Sequence, residues 1–194
     1  LAALLFERGL PIVESFTSPR AWSFALLGIH EYLRYQPNAE YVIRLREVLV
    51  EKLLGLWNCC SSENWPWFET MLTYDNARIS QALIISGQWM SRPEVSEIGF
   101  TSLRWLVSIQ KTQSGCFRPI GNDGFYQRDG ARADFDQQPV EAQAMVSACL
   151  EAYYATHDMM WKNEAKRAFE WFLGRNDLGI ALYDFTSGGC SDGL

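Results

Sequence analysis

The chain has 194 residues, and its 17 basic and 23 acidic side chains give a formal net charge of -6. A chain this acidic lacks the net positive field that holds a phosphate backbone, so nucleic acid is excluded as an expected partner. Hydrophobic residues make up 48% of the sequence and charged residues 21%, which is the composition of a globular domain with a substantial core. Aromatic residues reach 14%, and the flat apolar faces of tryptophan suit both a core and contact with sugar rings.

The cysteines and the apolar runs predict the cellular location of the protein. The five cysteines include no C-x-x-C pair and indicate neither a disulfide framework nor a zinc ribbon, so we expect a cytoplasmic location and no metal. No apolar run approaches the roughly 18 residues that a membrane span needs, so no membrane span is expected. Because the sequence opens with Leu1 in what resembles the end of a helix, we expect residues 1–194 to be one domain of a longer chain.

Helical periodicity dominates the sequence, while alternating strand-like runs are nearly absent, which predicts an all-α fold. Three hairpins are predicted, each with a nearly apolar first helix and a more amphipathic second helix. The first helices are predicted at 18–36, 75–90 and 139–154, and the second at 38–57, 93–110 and 160–173. Repeated hairpins bury their apolar faces by stacking, so we expect αα-hairpin repeats that form a solenoid or part of an (α/α)6-type toroid. The predicted core residues are Trp22, Leu26, Ile29, Leu83, Ile84, Met145 and Cys149.

The connections outside the hairpins are long and rich in aromatic and polar residues, whereas the turns within hairpins are short. The long connections cover residues 58–74, 111–138 and 176–194. Because all first helices point the same way in a parallel stack of hairpins, these connections are predicted to gather on one rim, opposite the short turns. Functional groups concentrate on loops that a rigid scaffold positions, so the candidate site is expected on this rim.

The first connection places a carboxylate, Glu69, among aromatic residues that include Trp65 and Trp67. One hypothesis is a sugar platform formed by the two tryptophans, beside an acid whose pKa is raised by apolar neighbours, as a general acid requires. The alternative is that both tryptophans are core residues. Asp75 is predicted to cap the following helix, since aspartate is favoured at that position.

The second connection is the most informative segment, because a long loop inside a compact domain is uncommon unless it has a function or is disordered. Its interleaved aromatic residues argue against disorder. Its charged residues could bind sugar hydroxyls or neutralise one another in ion pairs, and both alternatives stay open. These residues are Arg118, Arg128, Arg132, Asp129, Asp134 and Asp136. Glu141 lies in the first turn of the following helix, where the helix dipole favours a carboxylate.

Several kinds of site are not supported by the sequence. It contains neither a phosphate-binding loop nor a dinucleotide-binding glycine motif, which argues against nucleotide binding. The two histidines, His30 and His157, form no cluster suited to a metal or to a Ser-His-Asp triad, and His30 is predicted to be a core residue. No cofactor is therefore expected.

Four segments carry a family resemblance: WPWFE (65–69), LTYDNAR (72–78), CFRPIGNDGFYQRDGARADFDQQPVEA (116–142) and WFLGRNDLGIALYDFTSGGCSDGL (171–194). They resemble the α/α-toroid domain that accompanies or is fused to bacterial glycosyltransferases, which is similar in architecture to six-hairpin glycosidases. The resemblance implies a carbohydrate-handling role, with a glycosyltransferase domain as a partner. A complete six-hairpin ring has more helices than this chain supplies, so we expect part of the ring to lie outside it.

We therefore predict a rim that binds a glycan, with Trp65, Trp67 and Tyr126 stacking on sugar faces. The residues predicted to bind the substrate through polar groups are Asn76, Arg78, Asn122, Arg128, Arg132, Gln137 and Gln138. If the domain hydrolyses glycosides, Glu69 and Asp136 are the predicted acid and base, because glycosidic cleavage generally uses two carboxylates. The centre of the site is predicted at residues 136–138, where the longest connection enters a helix.

Three versions of this function differ in what they predict. A glycoside hydrolase in its own right would turn over glycosides. A non-catalytic module that helps position a glycan or a glycosyltransferase domain would bind sugar without turnover and would expose apolar surface. A helical scaffold for protein partners would have no sugar affinity.

Overall fold

The computed structural model describes all residues from 1 to 194 and is mostly helical. The helices are α1 (Ala2–Val13), α2 (Pro19–Tyr35), α3 (Glu40–Cys60), α4 (Ala77–Trp89), α5 (Pro93–Ile109), α6 (Pro139–Thr156) and α7 (Met159–Glu170). The strands are β1 (Met71–Leu72) and β2 (Tyr126–Gln127). The six predicted helices correspond to α2 to α7, so the helical class and the three hairpins are confirmed. A closed ring is not shown.

Prolines and caps explain where several helices begin and end. Pro19, Pro93 and Pro139 occupy the first turns of α2, α5 and α6, where a missing N–H costs nothing and the fixed φ is helical. α6 ends at His157, which is left-handed with φ 57°. The Asp158 side chain then accepts a hydrogen bond from the Met160 amide at 2.9 Å and caps α7. The short turn between these two helices therefore follows from local sequence.

The first helices of the hairpins supply the core, as predicted. α4 packs against α2, α5 and α6, and all its residues from 79 to 87 are buried. All seven residues predicted for the core are buried: Trp22, Leu26, Ile29, Leu83, Ile84, Met145 and Cys149. α4 buries polar as well as apolar residues, among them Ser80, Gln81 and Ser86, because it has neighbours on several sides.

Small residues allow α4 and α5 to pack closely. A Cβ added at Gly99 would lie 2.9 Å from the backbone nitrogen of Ile84, which no ordinary side chain tolerates. The hydroxyls of Ser80 and Ser102 lie 2.8 Å apart in the same interface and satisfy each other. The close packing of α4 and α5 therefore depends on small side chains in their interface.

α2, α4 and α6 run parallel, with their first turns at one end of the molecule. Arg20 at the start of α2 donates to Asn76 at 3.0 Å, and Asn76 donates to Glu141 at the start of α6, also at 3.0 Å. Near the opposite end, the rings of His30 and Trp89 lie 4.9 Å apart. His30 itself is half-buried rather than a core residue, because its helix face meets the partly exposed Trp89.

The three long connections contact one another, as predicted. β1 pairs antiparallel with β2 and joins the first connection to the second. Gln137 and Leu194 exchange two backbone hydrogen bonds of 2.8 and 3.0 Å, which join the second connection to the third. The sequence did not predict the small sheet, since two-residue strands carry no alternating pattern. The rim is therefore a hydrogen-bonded layer over the starts of α2, α4 and α6.

Apolar side chains are exposed at both ends of the hairpin stack. Leu5 and Ile12 of α1 are exposed at one end. At the other end, a cavity of about 540 Å³ is lined entirely by apolar side chains, namely Phe169, Phe172, Leu173, Tyr183, Phe185 and Cys190. None of the helices combines the length and the apolar character that crossing a membrane requires.

Candidate functional site

Six polar side chains meet where α2, α4 and α6 begin, and we call them the helix-start cluster. Its members are Arg20, Glu69, Asp75, Asn76, Arg78 and Glu141. Each comes from a first turn or from the connection just before α4, so the parallel arrangement of the three helices brings them together. Three of the six, Glu69, Asn76 and Arg78, were predicted as site residues from the sequence.

Asn76 is the centre of the helix-start cluster and is completely buried. Its Oδ1 accepts from Arg20 Nη2 at 3.0 Å and from the Thr73 amide at 3.1 Å. Its Nδ2 donates to the Thr73 carbonyl at 3.1 Å and to Glu141 Oε2 at 3.0 Å. The Asn76 amide N–H donates to Glu141 Oε1 at 3.3 Å. Every polar atom of the side chain is satisfied, which fixes the orientation of the amide.

Arg20 connects this buried centre to the surface. Its Nη1 donates to Glu69 Oε2 at 2.7 Å, and its Nε donates to the Tyr74 carbonyl at 2.5 Å. The guanidinium carbon lies 5.1 Å from the centre of the Tyr74 ring, within the range of a cation–π contact. The Glu69 side chain is 30% exposed and Tyr74 is 51% exposed. A carboxylate and an aromatic ring therefore face solvent above a buried arginine.

Asp75 is buried and does not cap α4, which corrects the prediction. Asn76 is the N-cap residue of α4, and no side chain caps the helix. Asp75 adopts a left-handed φ of 51°, which aspartate tolerates better than most residues. Its Oδ1 lies 3.4 Å from Arg78 Nε, but both atoms are buried without a hydrogen bond. Burial raises the pKa of Asp75, while the nearby Arg78 and Arg20 oppose that shift.

Glu141 is the most perturbed carboxyl group of the helix-start cluster. Burial raises its pKa to about 7, against the lowering effect of the hydrogen bonds from Asn76. No ion pair compensates its charge. The sequence places Glu141 in a first helical turn, yet nothing in the pattern distinguishes a buried first-turn glutamate from an exposed one. Its contact with Asn76, 65 residues earlier in the chain, is what creates the environment.

Trp65 and Trp67 are core residues, so the structure supports the alternative to the sugar platform. Trp67 is 0% exposed and Trp65 is 4% exposed. The Trp65 ring packs edge-on against Trp105 at 4.8 Å and Tyr126 at 5.2 Å. Its Nε1 donates to the Glu69 carbonyl at 2.7 Å. Trp65 thus supports the backbone of Glu69 instead of presenting a face to a ligand, and the partly buried Tyr126 supports Trp65.

The guanidinium groups of Arg128 and Arg132 are used to hold the connections together. Arg128 donates to the Cys60 carbonyl at 3.0 Å and to the Ser62 hydroxyl at 2.7 Å. Arg132 Nη2 donates to the carbonyls of Arg118 and Pro119 at 2.6 and 2.9 Å, and its Nη1 donates to the carbonyl of Ile109 at the end of α5. These donors are directed at acceptors of the protein itself, which indicates a structural role for both arginines.

Gln137 belongs to a second group of polar side chains, the connection network. It is completely buried, its Oε1 accepts from Trp171 Nε1 at 2.9 Å, and its Nε2 donates to Asp177 Oδ2 at 2.7 Å. Arg118 donates to both oxygens of Asp177, at 2.8 and 3.0 Å through its Nε. Although burial raises the pKa of Asp177, the hydrogen bonds from Arg118 and Gln137 bring it below its usual value. The members of the network are Arg118, Arg132, Asp134, Gln137, Trp171 and Asp177.

The remaining predicted residues lie outside the helix-start cluster. Asp136 is exposed, and its Oδ1 accepts from Gln138 Nε2 at 2.8 Å. Asn122 contributes its amide N–H to the Asp136 carbonyl at 3.0 Å. The side chains of Asp136, Gln137 and Gln138 make no hydrogen bond or ion pair with Glu69. Glu69 and Asp136, the two carboxylates that the sequence analysis paired, therefore belong to different hydrogen-bonded groups.

No group of three or more histidine, cysteine or acidic residues is placed to hold a metal ion. The helix-start cluster instead offers a carboxylate, guanidinium groups and an aromatic ring, which are groups that bind hydroxyls and flat apolar faces. Comparison with models of known protein families and with curated proteins finds no match to this chain.

Proposed function

We propose that this chain is a carbohydrate-binding domain of the α/α-toroid type, linked to bacterial glycosyl transfer, that binds a glycan on the rim of long connections. In this proposal it works in the cytoplasm with a glycosyltransferase domain as its partner. The resemblance of four segments, among them LTYDNAR at 72–78, supports the assignment. The gathering of the connections over the starts of three parallel helices is compatible with it.

The observation that carries the proposal is the exposed pair of Tyr74 and Glu69 above the buried Arg20. Half of the Tyr74 surface faces solvent, as do larger fractions of Tyr35 and Tyr154, and Tyr74 differs from them in lying beside Arg20 and Glu69. The ring is held against the Arg20 guanidinium, and Glu69 beside it can accept hydrogen bonds from hydroxyls. An aromatic face next to fixed acceptors and donors is suited to a sugar, whose rings have apolar faces and polar edges.

We propose binding without turnover, because only one partly exposed carboxylate belongs to the helix-start cluster. Hydrolysis of a glycosidic bond generally requires two carboxyl groups flanking the bond. Glu69 is the only carboxylate of the helix-start cluster with substantial exposure, because Asp75 and Glu141 are buried. Asp136 belongs to a separate set of contacts. In this proposal Glu69 binds sugar hydroxyls, and Tyr74 takes the stacking role that the sequence analysis gave to Trp65 and Trp67.

The proposal is tested by measuring the affinity of the protein for a panel of neutral mono- and oligosaccharides by calorimetry. Replacing Tyr74 by Ala should weaken binding by at least about tenfold, which corresponds to about 1.4 kcal/mol. The matched control is Tyr35→Ala, since Tyr35 is 80% exposed at the other end of α2 and should leave affinity unchanged. Both changes remove an exposed ring, so both variants should unfold at nearly the wild-type temperature.

Two results would contradict the proposal. One is that the wild-type protein binds no member of the panel. The other is that the two tyrosine variants lose affinity equally, which would place the sugar away from the helix-start cluster. Turnover of a glycoside would instead support the hydrolase alternative.

A further inference from the structure

Glu141 differs from the other buried acidic groups because its carboxylate accepts hydrogen bonds only from neutral donors and forms no ion pair. Both of its oxygens accept from a single residue, Asn76, through the backbone N–H at 3.3 Å and the side-chain Nδ2 at 3.0 Å. Asp177, by comparison, is held by a guanidinium. A buried carboxylate without a cation is costly, so its retention at this position calls for a physical reason.

The charged groups around Glu141 come from α2, from α4 and from the connection before α4. Arg20 of α2 contacts Asn76 and Glu69 but not Glu141. Asp75 adds a negative charge that raises the pKa of Glu141 further, and Arg78 of α4 is directed to Asp75 and Gln143. From α5 and α7, no charged side chain forms a hydrogen bond or ion pair with Glu141.

The reason lies in the number of acceptors that Asn76 needs. Asn76 presents two donors to Glu141, and only a deprotonated carboxylate offers two acceptor oxygens and no donor. A glutamine would place its NH2 group against one of these donors, and protonation would make the hydroxyl oxygen of the carboxyl group a weaker acceptor. The amide of Asn76 cannot rotate to escape this, because its NH2 group would then face the Arg20 guanidinium and the Thr73 N–H.

We propose that Glu141 is a positioning residue: its carboxylate fixes the orientation of the Asn76 amide, which fixes Arg20, which in turn holds Glu69 and Tyr74 at the sugar site. The chain of hydrogen bonds runs from Glu141 through Asn76 and Arg20 to Glu69, with distances of 3.0, 3.0 and 2.7 Å. Protonation of Glu141 removes its charge and weakens one of the two acceptors, which loosens this arrangement. The inference rests on the proposed function, because it assigns a proton-dependent control to the same site.

Burial places the proton equilibrium of Glu141 in the neutral range, since its pKa is raised to about 7. Sugar affinity is therefore expected to fall as the pH is lowered through this range. The direction follows from the geometry, because the deprotonated form is the one that satisfies both Asn76 donors.

The test follows the NMR signals of the Tyr74 ring, the Arg20 side chain and the Glu141 carboxyl carbon across a pH range centred on about 7. All three signals of the wild-type protein should shift with one common midpoint. In Glu141→Gln the Tyr74 and Arg20 signals should stay at their low-pH wild-type positions. Glu151→Gln is the matched control on the same helix, and it should retain the transition.

Sugar binding provides the second readout. Wild-type affinity should fall at low pH by at least about tenfold, and Glu141→Gln should bind weakly at every pH. If the Tyr74 and Arg20 signals shift with a midpoint different from that of Glu141, the positioning role is wrong. This outcome is measured on the wild-type protein alone and does not depend on whether a variant folds. If the common transition is observed but the wild-type protein binds no sugar, the proposed function fails and the positioning role stands.

Discussion

The helix-start cluster and the connection network lie on the same rim but differ in how their charges are balanced. In the connection network two arginines, Arg118 and Arg132, face two aspartates, Asp134 and Asp177. In the helix-start cluster, the three carboxyl groups of Glu69, Asp75 and Glu141 outnumber the two arginines. Buried polar atoms without a hydrogen bond occur in both networks, at Asp75 Oδ1 and at Arg132 Nε. The pKa of Asp177 is lowered, whereas those of Asp75 and Glu141 are raised.

This difference separates a structural network from a candidate functional one. A balanced and fully hydrogen-bonded ion pair holds two segments together, as Arg118 and Asp177 hold the second and third connections. Carboxyl groups whose pKa is raised by burial are enriched at functional sites, although structural clusters also perturb pKa values. The raised pKa of Glu141 therefore agrees with the geometry in marking the helix-start cluster as the candidate site. Its two solvent-facing groups, Glu69 and Tyr74, are the ones that a ligand can contact.

The largest expected effect concerns the pH dependence of stability. Between its unfolded value of 4.5 and its folded value of about 7, Glu141 keeps a proton in the folded state that the unfolded chain has released. The free energy of unfolding should therefore fall as the pH rises through this interval, by about 3 kcal/mol from this group, and stay level above it. Denaturant unfolding at a series of pH values measures the change.

The same measurement on Glu141→Gln should show this part of the pH dependence removed. Glu47→Gln, at an exposed position of α3, should keep the wild-type profile. A wild-type profile retained in Glu141→Gln would assign the pH dependence to another group and would weaken the contrast between the two networks.

The second effect tests the connection network. Replacing Asp177 by Ala leaves Arg118 and the buried Gln137 without their shared acceptor. Because the Asp177 side chain is 9% exposed while that of Arg118 is 32% exposed, we expect the free energy of unfolding to fall by about 2 kcal/mol, less than for a fully buried pair. Asp134→Ala, at the exposed end of the same network, should cost about 0.5 kcal/mol or less.

Measuring the sugar affinity of the same Asp177→Ala variant tests whether the two networks have different roles. Asp177→Ala should retain wild-type affinity at temperatures where it is folded, since no hydrogen bond links Asp177 to the helix-start cluster. A loss of affinity without a loss of stability would move the site toward the polar cleft of about 480 Å³ that lies beside Arg118 and Asp177.

Much of the scaffold could be predicted from the sequence because helix periodicity is a local property. The apolar faces around Leu26, Ile84 and Met145 identified the buried helices directly. The spacing of long and short connections also predicted the common rim. Pairing across the chain could not be predicted in the same way, and the two-residue strands β1 and β2 are an example.

The candidate site was predicted only in part, because burial depends on contacts between distant residues. Glu69 was identified as a carboxylate in an aromatic-rich segment; in the structure Trp65 contacts its backbone carbonyl, while its carboxylate pairs with Arg20. The importance of Asn76 and Glu141 depends on a contact between residues 65 positions apart, which local patterns do not encode. The tryptophans illustrate the opposite error, since an aromatic-rich segment such as WPWFE has the same composition whether it packs inward or faces a ligand.

The smallest expected effect concerns Asp136, the second carboxylate that the sequence analysis placed in the site. Asp136 is exposed at a left-handed φ of 55°, a conformation that asparagine also tolerates. Asparagine keeps an oxygen that can accept from Gln138, so Asp136→Asn should change the free energy of unfolding by less than about 0.5 kcal/mol. Sugar affinity should be unchanged, whereas Glu69→Gln should weaken it because Arg20 loses its charged partner. Calorimetry on both variants decides between the two carboxylates. Equal losses would show that Asp136 also contributes to the site, while a loss confined to Glu69→Gln keeps the site at the helix-start cluster.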